Sequence, residues 1–201
     1  RGIPPQNVRV VGTNTLRAAA NSQDFIQAAE AAIGHRVEII SGREEARLIY
    51  LGVSHSLENQ LASRLVVDVG GGSTELILGR QFQPRIMESL HMGCVSMSNR
   101  FFDDGKIRPS NFNRAMNAAR QEVEVIQQIF KAHGWDIAIG ASGTLLSIHS
   151  VITEVIGEER ITVEGLHKLR RVLIESRHID NIDLPGVNKG RAPVFPGGVA
   201  I

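Results

Sequence analysis

The stretch RLVVDVGGGSTELILG, residues 64–79, constrains the fold more than any other. An apolar run carrying one Asp breaks at three consecutive glycines, passes through Ser and Thr, and resumes at Glu75 as a second apolar run. Two strand-length segments around a turn predict a β-hairpin, yet such a turn usually needs one or two glycines. A third opens backbone conformations closed to residues with a Cβ and leaves amide N–H groups uncovered. A turn of this kind can wrap an anion, and phosphate is the natural guest. Gly70, Gly71, Gly72, Ser73 and Thr74 are therefore the expected phosphate loop, with a plain hairpin turn as the alternative. No Lys follows the glycines as in a P-loop, and the position three after Gly72 is Glu75, which breaks the dinucleotide fingerprint.

Acidic residues flank the turn. With period-two alternation Val67 and Val69 face one way and Val66 and Asp68 the other, so Asp68 ends its strand beside the glycines. A carboxylate next to phosphates repels them unless a cation lies between, and Mg²⁺, held by one or two carboxylates and phosphate oxygens, is the usual bridge. Asp68 is the expected metal ligand. Glu75 is either a second ligand through water, a general base, or a solvent-exposed strand residue. In SGREEARLIYLGV, Ser41 and Glu44 form a capping box and Glu44 meets Arg47, which leaves Glu45 with Leu48, Ile49 and Gly52 on an apolar face. An inward carboxylate is costly without a partner or a task. Burial raises its pKa and the helix N-terminus lowers it, so Glu45 reads as a usable base or as half of an ion pair with an Arg from elsewhere.

Two more stretches fit one cleft. VVGTNTLRAA puts Thr13, Thr15 and Arg17 after a strand, where α/β sheets keep ligand groups. IGASGTLL repeats strand, small-residue turn and helix start, so Ser142, Gly143 and Thr144 stand at an anion-favouring N-terminus.

The rest of the chain alternates strand and helix signals. VRVVGT, VEIIS, PRIMESL and WDIAIGAS read as strands; SQDFIQAAEAAIG (Ser22 as cap, Gly34 as stop), Gly42 to about Val53, Val95 to Phe102, Asn111 to His133, GTLLSIHSVITEVIG and TVEGLHKLRRVLIES read as helices. The hairpin and PRIMESL suggest an antiparallel meander, and Phe112, Ala115, Ala119, Val123, Ile126 and Phe130 form one apolar stripe. An internal boundary is expected between Glu58 and Arg64.

Composition narrows the function. At 42% apolar and 21% charged the chain is an ordinary globular one, and its lone Cys94 rules out an internal disulfide framework and a zinc site. With 4% aromatic residues and a net charge of +1, no basic, aromatic-laced face predicts nucleic-acid binding. Residues 160 to 201 are net basic, a hint of an anion-facing tail. Neither a signal peptide nor a membrane-spanning run stands in the sequence, so a cytoplasmic protein without integral membrane association is expected; both ends look cut, as in a fragment of a longer chain.

GTNTLRAAAN, VEIISGREEARLIYLGV, LVVDVGGGSTELILG, MGCVSMSNRFF, GWDIAIGASGT and VFPGGVAI, in this order, resemble the exopolyphosphatase and guanosine pentaphosphate phosphohydrolase family over nearly the whole chain. The resemblance implies an actin-like (ribonuclease H-like) α/β fold, a mixed sheet flanked by helices in two related domains around a phosphate cleft. Residues 1–60 would be the end of the first domain and 61–201 most of the second. The family's first phosphate loop and the C-terminal helical domains of its longer members are absent. Carried over by position, Glu45 is the catalytic base, Asp68 and Glu75 serve metal and attacking water, Gly70 to Thr74 are the second phosphate loop, and Arg17 faces the phosphate. Met92 to Cys94 and Ala141 to Thr144 are further cleft segments. The implied activity is Mg²⁺-assisted release of terminal orthophosphate from inorganic polyphosphate, toward which the triple glycine leans. Guanosine pentaphosphate is the alternative substrate, and a non-hydrolytic phosphate or nucleotide sensor the alternative of another class. The full-length protein is expected to be a homodimer.

Overall fold

Val10–Gly12 (β1) and Val37–Ile39 (β2) pair in parallel, with Val10 opposite Val37, and the chain between them forms two helices, Asn14–Ala18 (α1) and Ser22–Ile33 (α2). The computed structural model describes residues 3–57 and 61–201. The expected boundary between Glu58 and Arg64 therefore starts at residues outside the described ones. Gly34 ends α2 at φ +70°, as its position suggests, but the N-cap is Asn21 and Ser22 is the first helical residue. Sequence reading gave no helix to α1, which at five residues is too short to show a period.

Gly42–His55 (α3) starts at Ser41, whose Oγ accepts the N–H of Glu44 at 3.2 Å. The Glu44 carboxylate is gripped by Arg47 at 2.8 Å, so the half of the capping box that stands is the serine's.

Ser63–Val69 (β3), Thr74–Arg80 (β4) and Gln83–Leu90 (β5) form the expected antiparallel meander, and Ile137–Gly140 (β6) joins β3 in parallel, giving a mixed sheet in the order β5-β4-β3-β6. Helices cover both faces. On one side lie Cys94–Phe101 (α4), Pro109–His133 (α5), Gly143–Val151 (α6), Val163–Ser176 (α7) and Phe195–Ala200 (α8). Their core includes Leu65, Leu78, Ile86, Phe112, Ile148, Leu169 and Phe195. The α5 stripe is buried as expected except Val123, which is half-buried.

On the other face lies α3, whose Ala46 and Tyr50 pack on Val66 and Ile77. The helix that sequence reading put before the domain boundary thus rests on the four-stranded sheet after it. No helix among the described residues is long and apolar enough to cross a membrane.

Candidate active site

The β3–β4 register pairs Asp68 with Glu75, so both side chains leave the same face of the sheet. It is the face under α3, because Val66 and Ile77, of the same parity, meet Ala46 and Tyr50 there. Glu45, in the first turn of α3, completes the group. Three carboxylates from two strands and a helix converge through side-chain parity and helix packing.

Glu75 is 1% exposed, which removes the solvent-exposed reading, and its Oε1 accepts a hydrogen bond from Ser89 Oγ at 2.8 Å. Ser89 is its partner across β5. Gly42 makes this approach possible, since a Cβ there would sit 2.3 Å from Ser89 Oγ. Asp68 is half-buried, and its carboxyl is pushed above the usual range by burial and then by the charge of Glu75. Burial, first, and the charge of Glu75 also push Glu45 up, while the Arg17 guanidinium and the Thr13 hydroxyl pull it back.

Glu45 is not at the centre of α3's apolar face. The buried stripe is Ala46, Tyr50 and Ser54, with Gly52 exposed, and Glu45 lies at its edge with its side chain 18% exposed. Its arginine partner is Arg17, whose Nη1 stands 3.5 Å from Oε2 and also donates to the Ile40 carbonyl.

The glycine turn differs from expectation in its reason. None of Gly70, Gly71 and Gly72 has a positive φ. Contacts differ along it: a Cβ on Gly72 would lie 2.3 Å from the side-chain Oδ1 of Asn14, one on Gly71 would meet only Val95 Cγ2 at 3.5 Å, and it is Gly93, facing the turn, whose Cβ would strike backbone, 2.4 Å from the carbonyl carbon of Gly71. That approach has a use. The carbonyl of Gly70 accepts Cys94 N–H at 2.8 Å, and the carbonyl of Gly71 accepts Val95 and Ser96 N–H at 2.9 and 3.1 Å. The open donors of α4's first turn are thereby satisfied by the turn's own carbonyls. In a trans peptide the N–H points opposite the C=O, so the N–H groups of Gly71 and Gly72 are directed away from α4. They find no acceptor among the described residues.

The remaining expected groups divide. Ser73 is buried beside the turn, but the Thr74 hydroxyl is already given to the Met92 carbonyl at 2.7 Å. Ser142 caps α6, accepting from Leu145 N–H at 3.2 Å and from Val69 N–H at 3.3 Å, which ties α6's start to the end of β3. Gly143 follows it and Thr144 is buried at 5% exposure. Arg17 is brought to Glu45, whereas Thr15 stays on the exposed side of α1.

Sequence reading missed Asn14 and Arg191. Arg191 lays its guanidinium over α6's first residue, such that a Cβ on Gly143 would be 2.9 Å from Nη2. Its only signal in sequence was its place in the basic tail.

Among the described residues no three His, Cys, Asp or Glu side chains form a closed metal cluster. Asp68 and Glu75 offer instead an all-oxygen pair next to the turn, a donor set that suits a hard cation completing its shell from phosphate and water. Outward N–H groups, a half-paired arginine and a carboxylate with a raised pKa suit activation of water against a bound phosphate.

The profile of the Ppx/GppA phosphatase family matches residues 1–201. Two relatives from Vibrio cholerae O1 strains, each called guanosine-5'-triphosphate,3'-diphosphate pyrophosphatase, are 41% identical over 99% of this chain and 40% of their own. The Aquifex aeolicus PPX-GPPA enzyme is 25% identical, with a TM-score of 0.76 over 96% of this chain and 65% of its own. An exopolyphosphatase from Cytophaga hutchinsonii, 21% identical, superposes with a TM-score of 0.81 over 96% and 64%, a likeness of fold. The chain thus spans two fifths of the curated relatives' length and somewhat under two thirds of these solved chains.

Proposed function

This chain belongs to the Ppx/GppA phosphatase family, and on that footing we propose that its protein hydrolyses the terminal phosphoanhydride of guanosine 5'-triphosphate 3'-diphosphate. The reading rests on one observation, the convergence of Glu45, Asp68 and Glu75 beneath a turn whose free N–H groups point outward. The lean toward polyphosphate drawn from the triple glycine gives way, because within the turn the tightest contact, at Gly72, is with the Asn14 side chain and speaks for no particular substrate. The relatives at 41% identity, moreover, carry the nucleotide's name.

In this mechanism the terminal phosphate lies against the N–H groups of Gly71 and Gly72, with Arg17 holding an oxygen. Glu45, ionised, takes a proton from water as the water oxygen bonds to phosphorus. The bond from phosphorus to the bridging oxygen breaks, the electron pair leaves on guanosine 5'-diphosphate 3'-diphosphate, and orthophosphate is released. Glu75, fixed by Ser89, orients the water's second hydrogen. Asp68, with Glu75, would hold Mg²⁺, which when bound supplies neutralising charge at the phosphate oxygens.

The test is phosphate release by the full-length protein with Mg²⁺, offered guanosine pentaphosphate and long-chain polyphosphate in parallel. The nucleotide should turn over faster, and Glu45→Gln should lose roughly 10²–10⁴-fold in kcat with nucleotide binding kept. Faster release from polyphosphate would reverse the substrate, and a fully active variant would remove Glu45 as base. Binding without release by the unmodified protein would leave a sensor.

A further inference from the structure

The sheet order puts β6 and α6, with Arg191, on one side of the glycine turn and the β5 edge on the other. On the β5 side lies a recess of about 300 Å³. Asn14 and Arg17 of α1, Arg43 of α3, and Glu88, Ser89 and His91 at the end of β5 line it.

One of its cations is left without a partner among the described residues. The acidic groups nearby are already spent: Glu38 holds Arg9 at 2.7 Å, and Glu44 holds Arg47 at 2.8 Å and meets Arg9 at 3.6 Å. Arg43 has no hydrogen-bond or ion-pair partner among the described residues, and it stands in the first turn of α3, where the helix dipole disfavours a cation. Neither packing nor pairing rewards an arginine there. Arg17 is paired with Glu45 at 3.5 Å, which leaves Arg43 as the cation of the lining with no such partner among the described residues, beside the Glu88 carboxylate and the His91 ring.

Two of its walls are shared with the candidate active site. Asn14 touches the turn at Gly72, and Ser89 is the residue that holds Glu75. A group seated in the recess is therefore next to the reacting phosphate without displacing it.

We propose that this recess is a second anion subsite, taking phosphates of the substrate that do not react, with Arg43 as the specificity-determining contact. It rests on the phosphohydrolase reading and deepens it. A guanosine pentaphosphate carries a second phosphate cluster at its 3' end, and the recess holds that diphosphate while the 5' end lies at the turn. Arginine grips such a group in bidentate fashion, which lysine or glutamine cannot match.

The test is calorimetric binding to the full-length protein of three probes: guanosine 5'-diphosphate 3'-diphosphate, GDP and inorganic tripolyphosphate. Arg43→Gln should weaken the first about 10-fold and leave GDP within about twofold, with Arg43→Lys recovering part of the loss. Selective loss of tripolyphosphate would assign the subsite to the next phosphates of a linear chain. Unchanged binding of all probes, or equal weakening of GDP and the tetraphosphate, overturns the subsite. Phosphate release from guanosine pentaphosphate by the unmodified protein is measured alongside. Its absence with the Arg43 effect intact would sink the hydrolase reading and keep the subsite.

Discussion

At Asp68, burial and the facing charge of Glu75 both raise the carboxyl pKa, and no hydrogen bond offsets them among the described residues. The folded state then binds this proton more tightly than the unfolded chain does. Its contribution to stability is fully present below the unfolded pKa and is lost as pH rises through the raised folded one. Asp68→Asn should therefore raise the melting temperature of the metal-free protein at pH 7.5 by about 2–4 °C, a gain that fades toward pH 4. Scanning calorimetry in chelator checks it, and a drop at pH 7.5 would give Asp68 a favourable partner. Glu45 carries the complementary expectation for rate. Because its carboxyl is raised, the acid limb of kcat/KM should lie above the ordinary glutamate range, and Arg17→Gln, which removes a lowering influence, should move that limb to still higher pH. A limb that stays put would separate Arg17 from Glu45. Glu45 and Asp68 were legible in sequence because capping and period-two parity act within a few residues. Arg191 and Asn14 were not, since their neighbours Gly143 and Gly72 are remote in sequence.

At the scale of elements, the glycine turn and α4 form one unit, joined by three N–H to carbonyl bonds. Gly93→Ala must push a methyl into the Gly71 carbonyl, and Gly72→Ala must push one into Asn14. The first meets backbone and should cost about 1–3 kcal/mol in denaturant unfolding, as overpacking does, whereas the second meets the movable end of the Asn14 side chain and should cost less than about 1 kcal/mol. At Gly71 a Cβ meets only Val95 Cγ2 at 3.5 Å, so Gly71→Ala should stay within about 0.5 kcal/mol. Equal losses at all three would return the turn to a conformational need for glycine. The hairpin was legible from its alternating strands, and the surroundings of its glycines were not, because the atoms nearest Gly72 come from α1 and those that face Gly71 from α4. Nor was α8 legible as a helix: FPGGVA is poor in helix propensity, and its glycines serve contact instead, Gly197 lying where a Cβ would be 2.3 Å from Ser98 Oγ.

For the molecule as a whole, the α/β order and the meander followed from the sequence, while the seat of α3 did not, because an amphipathic pattern shows a buried face without naming what buries it. That seat divides the site between two layers. Glu45, Asp68 and Glu75 all belong to the four-stranded sheet and the helix bolted to it, whereas Arg17 and Asn14 ride on the small β1–β2 layer. Swinging that layer outward would pull the arginine from the phosphate and open the β5 recess, yet leave the three carboxylates at their spacing. Spin labels at Gln27 and Gln128 should change separation when guanosine tetraphosphate binds, and labels at Gly52 and Gln128 should not. The site is then built like a vice, with the carboxylates on the anvil and the arginine on a jaw that has its own footing.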